Sequence, residues 1–404
     1  MSTPRSVVVV GGGLAAANAV AELREGGYDG ALTVVGQEHE RPYERPPLSK
    51  GYLAGTDVRD SVFAHPAGWY AEHDVELVLG VPVTDVDLAA RTVATAERTL
   101  PYEALLLATG ARSRRLPSAP ESDVVGYLRT LADSDRVRAA LRPGRRVAII
   151  GGGWIGLEVA AAARGAGCEV VVLEAAERPL QRVLGPEVAD VFAALHTSHG
   201  VDLWTGISVA TVKESAGRAT IKVADGTSVT ADFVLVGVGA VPNTALAETA
   251  GLTVDGGVVV DEYLRSSHPD VLAAGDVAKA YHPRLGRHVR VEHWDNAIGQ
   301  GRAAARTLLG TGTPYDRLPY FFTDQYDLGM EYVGDATGYD DVVLRGDVAG
   351  RVFTAFWLRR GAVVAGMHVN DWDAIDAVRQ IVAAGDVDVR ALRDPDVPLA
   401  ELAG

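Results

Sequence analysis

Two glycine-rich turns of one kind, Gly11-Gly12-Gly13-Leu14-Ala15-Ala16 and Gly151-Gly152-Gly153-Trp154-Ile155-Gly156, stand 140 residues apart in this chain. Each follows an apolar run, Val7 to Val10 and Val147 to Ile150, and each leads into an Ala-rich stretch with helical spacing. Strand, tight turn and helix in that order form the unit that grips a dinucleotide. The first glycine permits the turn, the second lets the backbone approach a pyrophosphate, and the third position must be small so that helix packs on strand. Orphan N–H groups and the dipole at a helix start amount to about half a positive charge, which favours an anion. One such turn is weak evidence, because a glycine turn before a helix is often only a turn. Two in matching contexts predict a chain that holds two dinucleotides and passes electrons between them.

The rest of the chain reads as α/β. Strand signals recur at Leu32–Val35, Ala104–Ala108, Val170–Leu173, Phe233–Val238 and Val271–Ala274, with helical stretches at Ala15–Arg24, Ile155–Gly165 and Pro186–His199. This pattern predicts an α/β fold with two doubly wound, Rossmann-like parallel sheets. We expect a discontinuous first nucleotide-binding domain over 1–112 and 244–313, and a second over 113–243, entered through a linker at Pro117 to Asp123. From about Pro314 the texture changes to alternating strands (Val342–Leu344, Arg351–Leu358, Ala362–Met367) and a helix near Asp373–Ala384. That region, 314–404, is expected to be an α+β domain that closes over a cofactor or presents a docking surface.

Composition limits the chemistry. A formal charge of −15 over 404 residues opposes a polyanionic partner, so nucleic acid is not expected. No segment reaches the ~20 apolar residues of a membrane span, and no secretory signal is visible, so a cytoplasmic chain is expected. Cys168 is the only cysteine. A chain with one cysteine forms no intrachain disulfide, no CxxC redox pair and no cysteine-ligated cluster of its own. Flavin disulfide reductases and NADH peroxidases share both glycine turns but need a redox cysteine where this chain has Tyr43 to Lys50. The histidines show no metal-ligand spacing, and no metal is expected.

Carboxylates at strand ends carry the specificity signals. Glu174 closes the strand after the second turn, where a carboxylate accepts hydrogen bonds from the adenosine ribose hydroxyls and repels a 2′-phosphate. NADH is thereby favoured over NADPH, although Arg178 lies close in sequence. In the first unit the equivalent position is Gly36, and Glu38 either reaches the ribose from the turn or is an exposed turn carboxylate. Ala108-Thr109-Gly110 supplies a small, kinked strand exit beside a cofactor. Gly275-Asp276 ends a short strand with a carboxylate suited to a polyol hydroxyl such as a ribityl chain; the alternative is a helix cap.

These residues, together with Arg45-Pro46-Pro47-Leu48-Ser49-Lys50, Val291-Glu292-His293-Trp294-Asp295-Asn296-Ala297 and Asp324-Gln325-Tyr326-Asp327, resemble the ferredoxin reductases of bacterial oxygenase systems. The resemblance runs in order over nearly the whole chain and implies glutathione-reductase-like nucleotide-binding domains with a C-terminal α+β domain. It implies FAD on Gly11, Gly13, Arg45, Lys50, Arg129 and Asp276, with Trp294 and Ala297 near the isoalloxazine, and NADH on Gly153, Ile155, Glu174, Arg182 and Gly239. Further cofactor-binding candidates are Leu14, Ala15, Ala16, Glu38, Pro82, Val83, Ala108, Thr109, Gly110, Gly151, Trp154, Gly156, Val238, Gly275, Glu292, His293 and Phe322. Where such reductases usually carry a Trp pair, this chain has Tyr320-Phe321-Phe322, so an indole N–H is lost while Phe322 can still cover the flavin.

Lys50 and Glu158 are the side chains expected nearest the chemistry. Hydride transfer needs stacked rings and water exclusion rather than a protein acid or base. A buried Lys–Glu pair would instead tune the charge of reduced flavin and handle its proton. On sequence alone an ordinary surface ion pair, worth ~0–1 kcal/mol, is the simpler reading; the resemblance favours the buried one.

The implied function is an NADH-dependent reductase that passes electrons singly to a [2Fe–2S] ferredoxin feeding a monooxygenase or dioxygenase. Alternatives are a redox-sensing FAD/NADH interaction protein of the apoptosis-inducing-factor type, and an NADH:quinone or dye reductase. A ferredoxin, being acidic, needs a local basic face. Arg302 and Arg306, four residues apart on the helix Ala297–Leu309, and Arg317 offer one; a solvated helix face is the alternative. A monomer or weak dimer is expected.

Overall fold

A computed structural model describes residues 3–402, and its contacts divide the chain into two compact units. Of the described residues, the first comprises 3–45, 59–112 and 240–319; the second comprises 46–58, 113–239 and 320–402.

The first unit is built on a five-stranded parallel sheet in the order Val271–Ala273, Ala104–Leu107, Ser6–Val10, Ala31–Gly36, Val75–Leu79. Val7 to Val10 and Leu105 to Leu107 are buried. Such unbroken apolar runs are what a parallel sheet covered on both faces demands. The glycine turn leaves the central strand Ser6–Val10 and enters the helix Leu14–Glu25. That helix lies against a second one, Trp294–Leu308, closely enough that a Cβ on Gly301 would stand 2.4 Å from the Ala15 carbonyl oxygen. The same unit also carries a small antiparallel meander, Val83–Asp87, Thr92–Thr95 and Thr99–Pro101.

The second unit repeats the plan. Its parallel sheet runs Val201–Trp204, Glu169–Leu173, Arg146–Ile150, Phe233–Val236, Val125–Gly126. The second glycine turn leaves the central strand Arg146–Ile150 for the helix Trp154–Gly165. The two parallel sheets agree with the doubly wound expectation.

Beyond them the same unit carries a five-stranded antiparallel sheet, ordered Tyr320–Gln325, Leu328–Gly334, Ala362–Val369, Val352–Arg359, Asp341–Asp347, with the helix Ile375–Ala384 against it. This matches the expected change to alternating strands and a helix. Trp357, Phe353 and Met367 of the sheet share one apolar core with Leu157, Leu184 and Phe192. The Trp357 indole N–H donates to the Leu184 carbonyl at 3.0 Å. Leu184 lies in the helix Gln181–Ser198, which starts five residues before the expected Pro186 and breaks at Gly185 (φ +77°).

Candidate functional site

The two glycine turns separate into positions that the chain itself requires and positions that it does not. Gly11 has φ +117°, and a Cβ there would meet the Ala108 carbonyl oxygen at 2.1 Å; Gly151 has φ +108° and would meet that of Gly237 at 2.3 Å. Both glycines are fixed by the turn. A Cβ on Gly156 would lie 2.1 Å from the Gly151 oxygen, so the third position is fixed by helix–strand packing, where the first unit accommodates the buried Ala16. Gly13 and Gly153 differ. Each has extended backbone open to any residue (φ −101° and −80°), and an added Cβ meets nothing within 4 Å. Nothing among the described residues calls for glycine at these two helix entrances. A pyrophosphate drawn against the backbone N–H groups does, so both turns fit a dinucleotide. Leu14 and Ala15 begin the first helix, and Trp154 and Ile155 the second.

Around the first turn the remaining candidates converge from distant parts of the sequence. Ala108 stands beside Gly11, and a Cβ added to Gly275 (φ +80°) would stand 3.1 Å from the Ala15 Cβ and 4.0 Å from that of Ala297, while the Gly275 N–H donates to the buried Gln300 Oε1 at 2.9 Å. Thr109 and Asn243 bind reciprocally: the Thr109 hydroxyl donates to the Asn243 carbonyl, and the Asn243 amide to the Thr109 carbonyl, both at 2.8 Å. Gly110 follows with φ +64° and accepts the Asn243 backbone N–H at 2.9 Å.

Gly36 packs against Gly12, since a Cβ on it would stand 3.3 Å from the Gly12 Cα. The acid is therefore displaced two residues along the turn to Glu38. Its carboxylate accepts from the Tyr43 hydroxyl (2.5 Å) and from Arg45 (2.9 Å), and Arg45 also donates to the Tyr43 oxygen (3.0 Å). Burial works against the Arg45 charge, but Tyr43, Glu38 and Asp276 outweigh it and hold the guanidinium above its ordinary value. Pro82 and Val83 follow the segment in which Gly80 and Val81 donate to Glu38 and Gly36. Asp276 lies in the short turn Gly275–Val277. The Arg290 guanidinium bonds the Asp276 carbonyl at 3.2 Å and pairs with Glu292. His293 caps the helix that Trp294 opens, and burial pushes its imidazole down to about 4.

Around the second turn, Glu174 accepts from the Gly152 N–H at 2.6 Å through one oxygen and from Ala176 at 2.7 Å through the other. Its carboxylate is thus fixed at the mouth of the turn. Arg178 is held in ion pairs with Asp190 (2.6 Å) and Glu177 (3.6 Å), which occupies the cation that a 2′-phosphate would need. Arg182 is exposed on the first turn of its helix, and Val238 and Gly239 (φ +102°) follow the strand Phe233–Val236. Arg129 precedes the helix Leu131–Ala140, its N–H donated to Asp133 at 3.0 Å.

Lys50 and Glu158 meet at 2.6 Å, with side chains 15% and 3% exposed, so the pair is buried rather than a surface bridge. Ser49 donates to the other Glu158 oxygen at 2.5 Å, and Thr323 to the Lys50-facing one at 2.6 Å. Local periodicity explains the arrangement. Trp154 and Glu158 are four apart on one helix face, and Phe321, Thr323 and Gln325 alternate on one strand face. Phe321 lies 5.0 Å from Trp154, and Phe322, on the opposite face, has the Lys50 ammonium 5.4 Å from its ring. Burial pushes the neighbouring Asp324 carboxyl up, with Lys50 opposing. No local signal assigned a role to Ser49, Thr323, Gln300 or Asn243. Ser49 and Gln325 stand inside the motifs Arg45–Lys50 and Asp324–Asp327, but Glu158 and His196, which they bind, lie 109 and 129 positions away. Cys168 is buried, its thiol pushed up by burial, which leaves it unreactive.

Residues 5–301 match the pyridine nucleotide-disulphide oxidoreductase family, and residues 320–403 match the reductase C-terminal family. The chain is 42% identical over 397 residues to the ferredoxin–NAD(+) reductase component of the anthranilate 1,2-dioxygenase system of Burkholderia cepacia, covering 97% of this chain and 98% of that one. It is 38% identical over 413 residues to putidaredoxin reductase of Pseudomonas putida, covering 100% and 97%. Among solved structures it superposes with a TM-score of 0.95 and 37% identity on a chain of the covalent putidaredoxin reductase–putidaredoxin complex, with 98% of each covered. The likeness thus spans both glycine turns, the Lys50–Glu158 pair and the C-terminal sheet, and the chain belongs to the pyridine nucleotide-disulphide oxidoreductase family, in its branch of oxygenase-coupled, NADH-dependent ferredoxin reductases.

Proposed function

We propose that this chain is an FAD-dependent NADH:ferredoxin oxidoreductase that feeds a [2Fe–2S] ferredoxin and, through it, a terminal oxygenase. The observation that carries the reading is near-complete coverage of two relatives, one named as the ferredoxin–NAD(+) reductase component of a dioxygenase system and one named putidaredoxin reductase. When bound, the flavin supplies the chemistry: it accepts a hydride from NADH and releases the electrons one at a time.

The chain's own part is to bind, orient and neutralise. Gly11, Gly13 and the first helix start hold the FAD pyrophosphate, and Asp276 and Arg45 flank it. Gly153, Gly156 and the second helix start hold NADH, with Glu174 on its ribose. Lys50, paired with Glu158, offsets the negative charge of reduced flavin and holds a proton. The segments 1–112 and 244–313 form the FAD-binding domain, 113–243 the NAD-binding domain and 314–404 the C-terminal domain. With one buried cysteine, the chain does not carry out the dithiol chemistry of the wider family. Arg302, Arg306 and Arg317 line one groove with Tyr315 and Asp316, and this groove is the proposed ferredoxin dock.

The test is a stopped-flow trace: NADH should bleach a yellow holoenzyme within its turnover time, and added ferredoxin should restore the colour. A long-lived reduced complex that ferredoxin does not discharge would favour the redox-sensing alternative.

A further inference from the structure

The hydrogen bonds to Glu158 continue away from Lys50 through the interior of the second unit. Thr323 donates to Glu158, Gln325 Nε2 lies 3.1 Å from the Thr323 hydroxyl oxygen, and His196 Nε2 lies 2.8 Å from Gln325 Oε1. Tyr326 Oη stands 3.4 Å from His196 Nδ1. Glu158, Thr323, Gln325 and His196 are all buried, so none of these groups has bulk water as a substitute partner.

Donor and acceptor inventory fixes the direction of each bond from Glu158 as far as His196 Nε2. An ionised carboxylate only accepts, so the single Thr323 hydrogen points at Glu158. The Thr323 oxygen then accepts, which requires the Gln325 NH2 on that side and its carbonyl oxygen on the other. That oxygen needs a hydrogen on His196 Nε2. The Tyr326 hydroxyl, 3.4 Å away, satisfies Nδ1 either way, as donor to a neutral imidazole or as acceptor from a charged one. Burial, aided by His199, pushes His196 down to about 4, and its other facing groups, Gln325 and Tyr326, carry no charge near neutrality. Every hydrogen in the series therefore points toward the carboxylate, and bonds aligned this way polarise one another.

We propose that Thr323, Gln325 and His196 are positioning residues for the Lys50–Glu158 pair: a one-directional hydrogen-bond chain, started by neutral His196, that locks the Glu158 carboxylate against the Lys50 ammonium. This rests on the pair acting as stated above. Besides the chain, Glu158 is faced by Lys50 and Ser49 from one segment and by Asp324 from the strand that carries Thr323.

The experiment uses the holoenzyme and two readouts. Infrared difference spectra against Glu158→Gln isolate the Glu158 carboxylate stretch, and single-turnover mixing with NADH gives the limiting rate of flavin reduction apart from half-saturation. In Thr323→Val the stretch should shift, and the limiting rate should fall about tenfold with little change in half-saturation, the loss of one bond to a charged group. Thr323→Ser should restore the wild-type band and most of the rate. Should Thr323→Val fail to fold, Gln325→Met cuts the same series one bond further on and is read in the same way. An unmoved band and rate in a folded variant, with only thermal stability lowered, would overturn the proposal and leave the series as core packing. If Glu158→Gln itself left the limiting rate unchanged, the role of the pair would fall, while the infrared band would still report whether Thr323 holds the carboxylate.

Discussion

At the scale of single residues, the glycines offer the cleanest separation of fold from function. Gly11→Ala places a Cβ against the Ala108 oxygen at a positive φ, so it should destabilise the first unit by about 1–3 kcal/mol or more. Gly13→Ala adds the same methyl into open space on extended backbone. It should leave apoprotein stability within about 0.5 kcal/mol of wild type while weakening FAD uptake by roughly tenfold or more. Urea denaturation of apoprotein alongside flavin titration would show this; a Gly13→Ala protein that binds FAD normally would remove the pyrophosphate from that turn. Glu174→Ala makes the companion case for NADH. Removing a carboxylate that two backbone N–H groups fix in place should lower the NADH-over-NADPH ratio of kcat/KM by about tenfold or more. The ratio should not invert, because Arg178 stays bound to Asp190. An unchanged ratio would count against ribose recognition by Glu174.

At the scale of elements, what could be read from sequence depended on whether the deciding contact was local. The strands Ser6–Val10 and Arg146–Ile150 and the helices after them were legible because apolar runs, glycines and helical spacing are all neighbours in sequence. In the second unit the strands Val209–Ser215, Arg218–Val223 and Ser228–Ala231 pair as an antiparallel meander that was not foreseen, since short half-exposed strands such as the first lack a clean alternation. Phe321, Thr323 and Gln325 alternate on a strand whose inward face is chosen by a helix more than 150 positions earlier, and no local pattern encodes that choice. The early start of the helix Gln181–Ser198 was hidden because Pro186 marks a second start, after the break at Gly185.

This same helix carries His196, and its burial has a consequence for acid stability. Above about 6.5 the imidazole is neutral in folded and unfolded chains alike. As pH falls from there toward about 4 the unfolded chain takes up a proton that the folded chain refuses, so stability is lost in that window. His196 should account for about 2 kcal/mol between pH 7 and 5, and His293 for a similar amount. His196→Gln should flatten the decline of unfolding free energy between those pH values by its share; an equally steep decline in the variant would mean that His196 protonates without cost in the folded state.

At the scale of the whole molecule, net charge and partner choice pull in opposite directions. A chain of −15 repels an acidic carrier at long range, yet at physiological ionic strength fields between exposed charges fade over about 8 Å. Association is then decided by the local patch. Of the three groove arginines, Arg306 is paired with Glu22 at 2.6 Å and Arg317 with Asp295, so each presents a partly neutralised charge. Arg302 makes no ion pair among the described residues and leaves its full charge for a partner. Arg302→Glu should therefore lower ferredoxin kcat/KM by about three- to tenfold at low salt, mostly through the association rate, and the gap to wild type should close as salt is added. Arg306→Glu should do less by charge while also breaking the Glu22 pair, itself worth about 0–1 kcal/mol. NADH–ferricyanide turnover, which needs the flavin but not the dock, separates recognition from folding. It should be unaltered in Arg302→Glu. If both acceptors slow equally, the substitution has damaged the protein; if neither slows at low salt, electrons leave by another face.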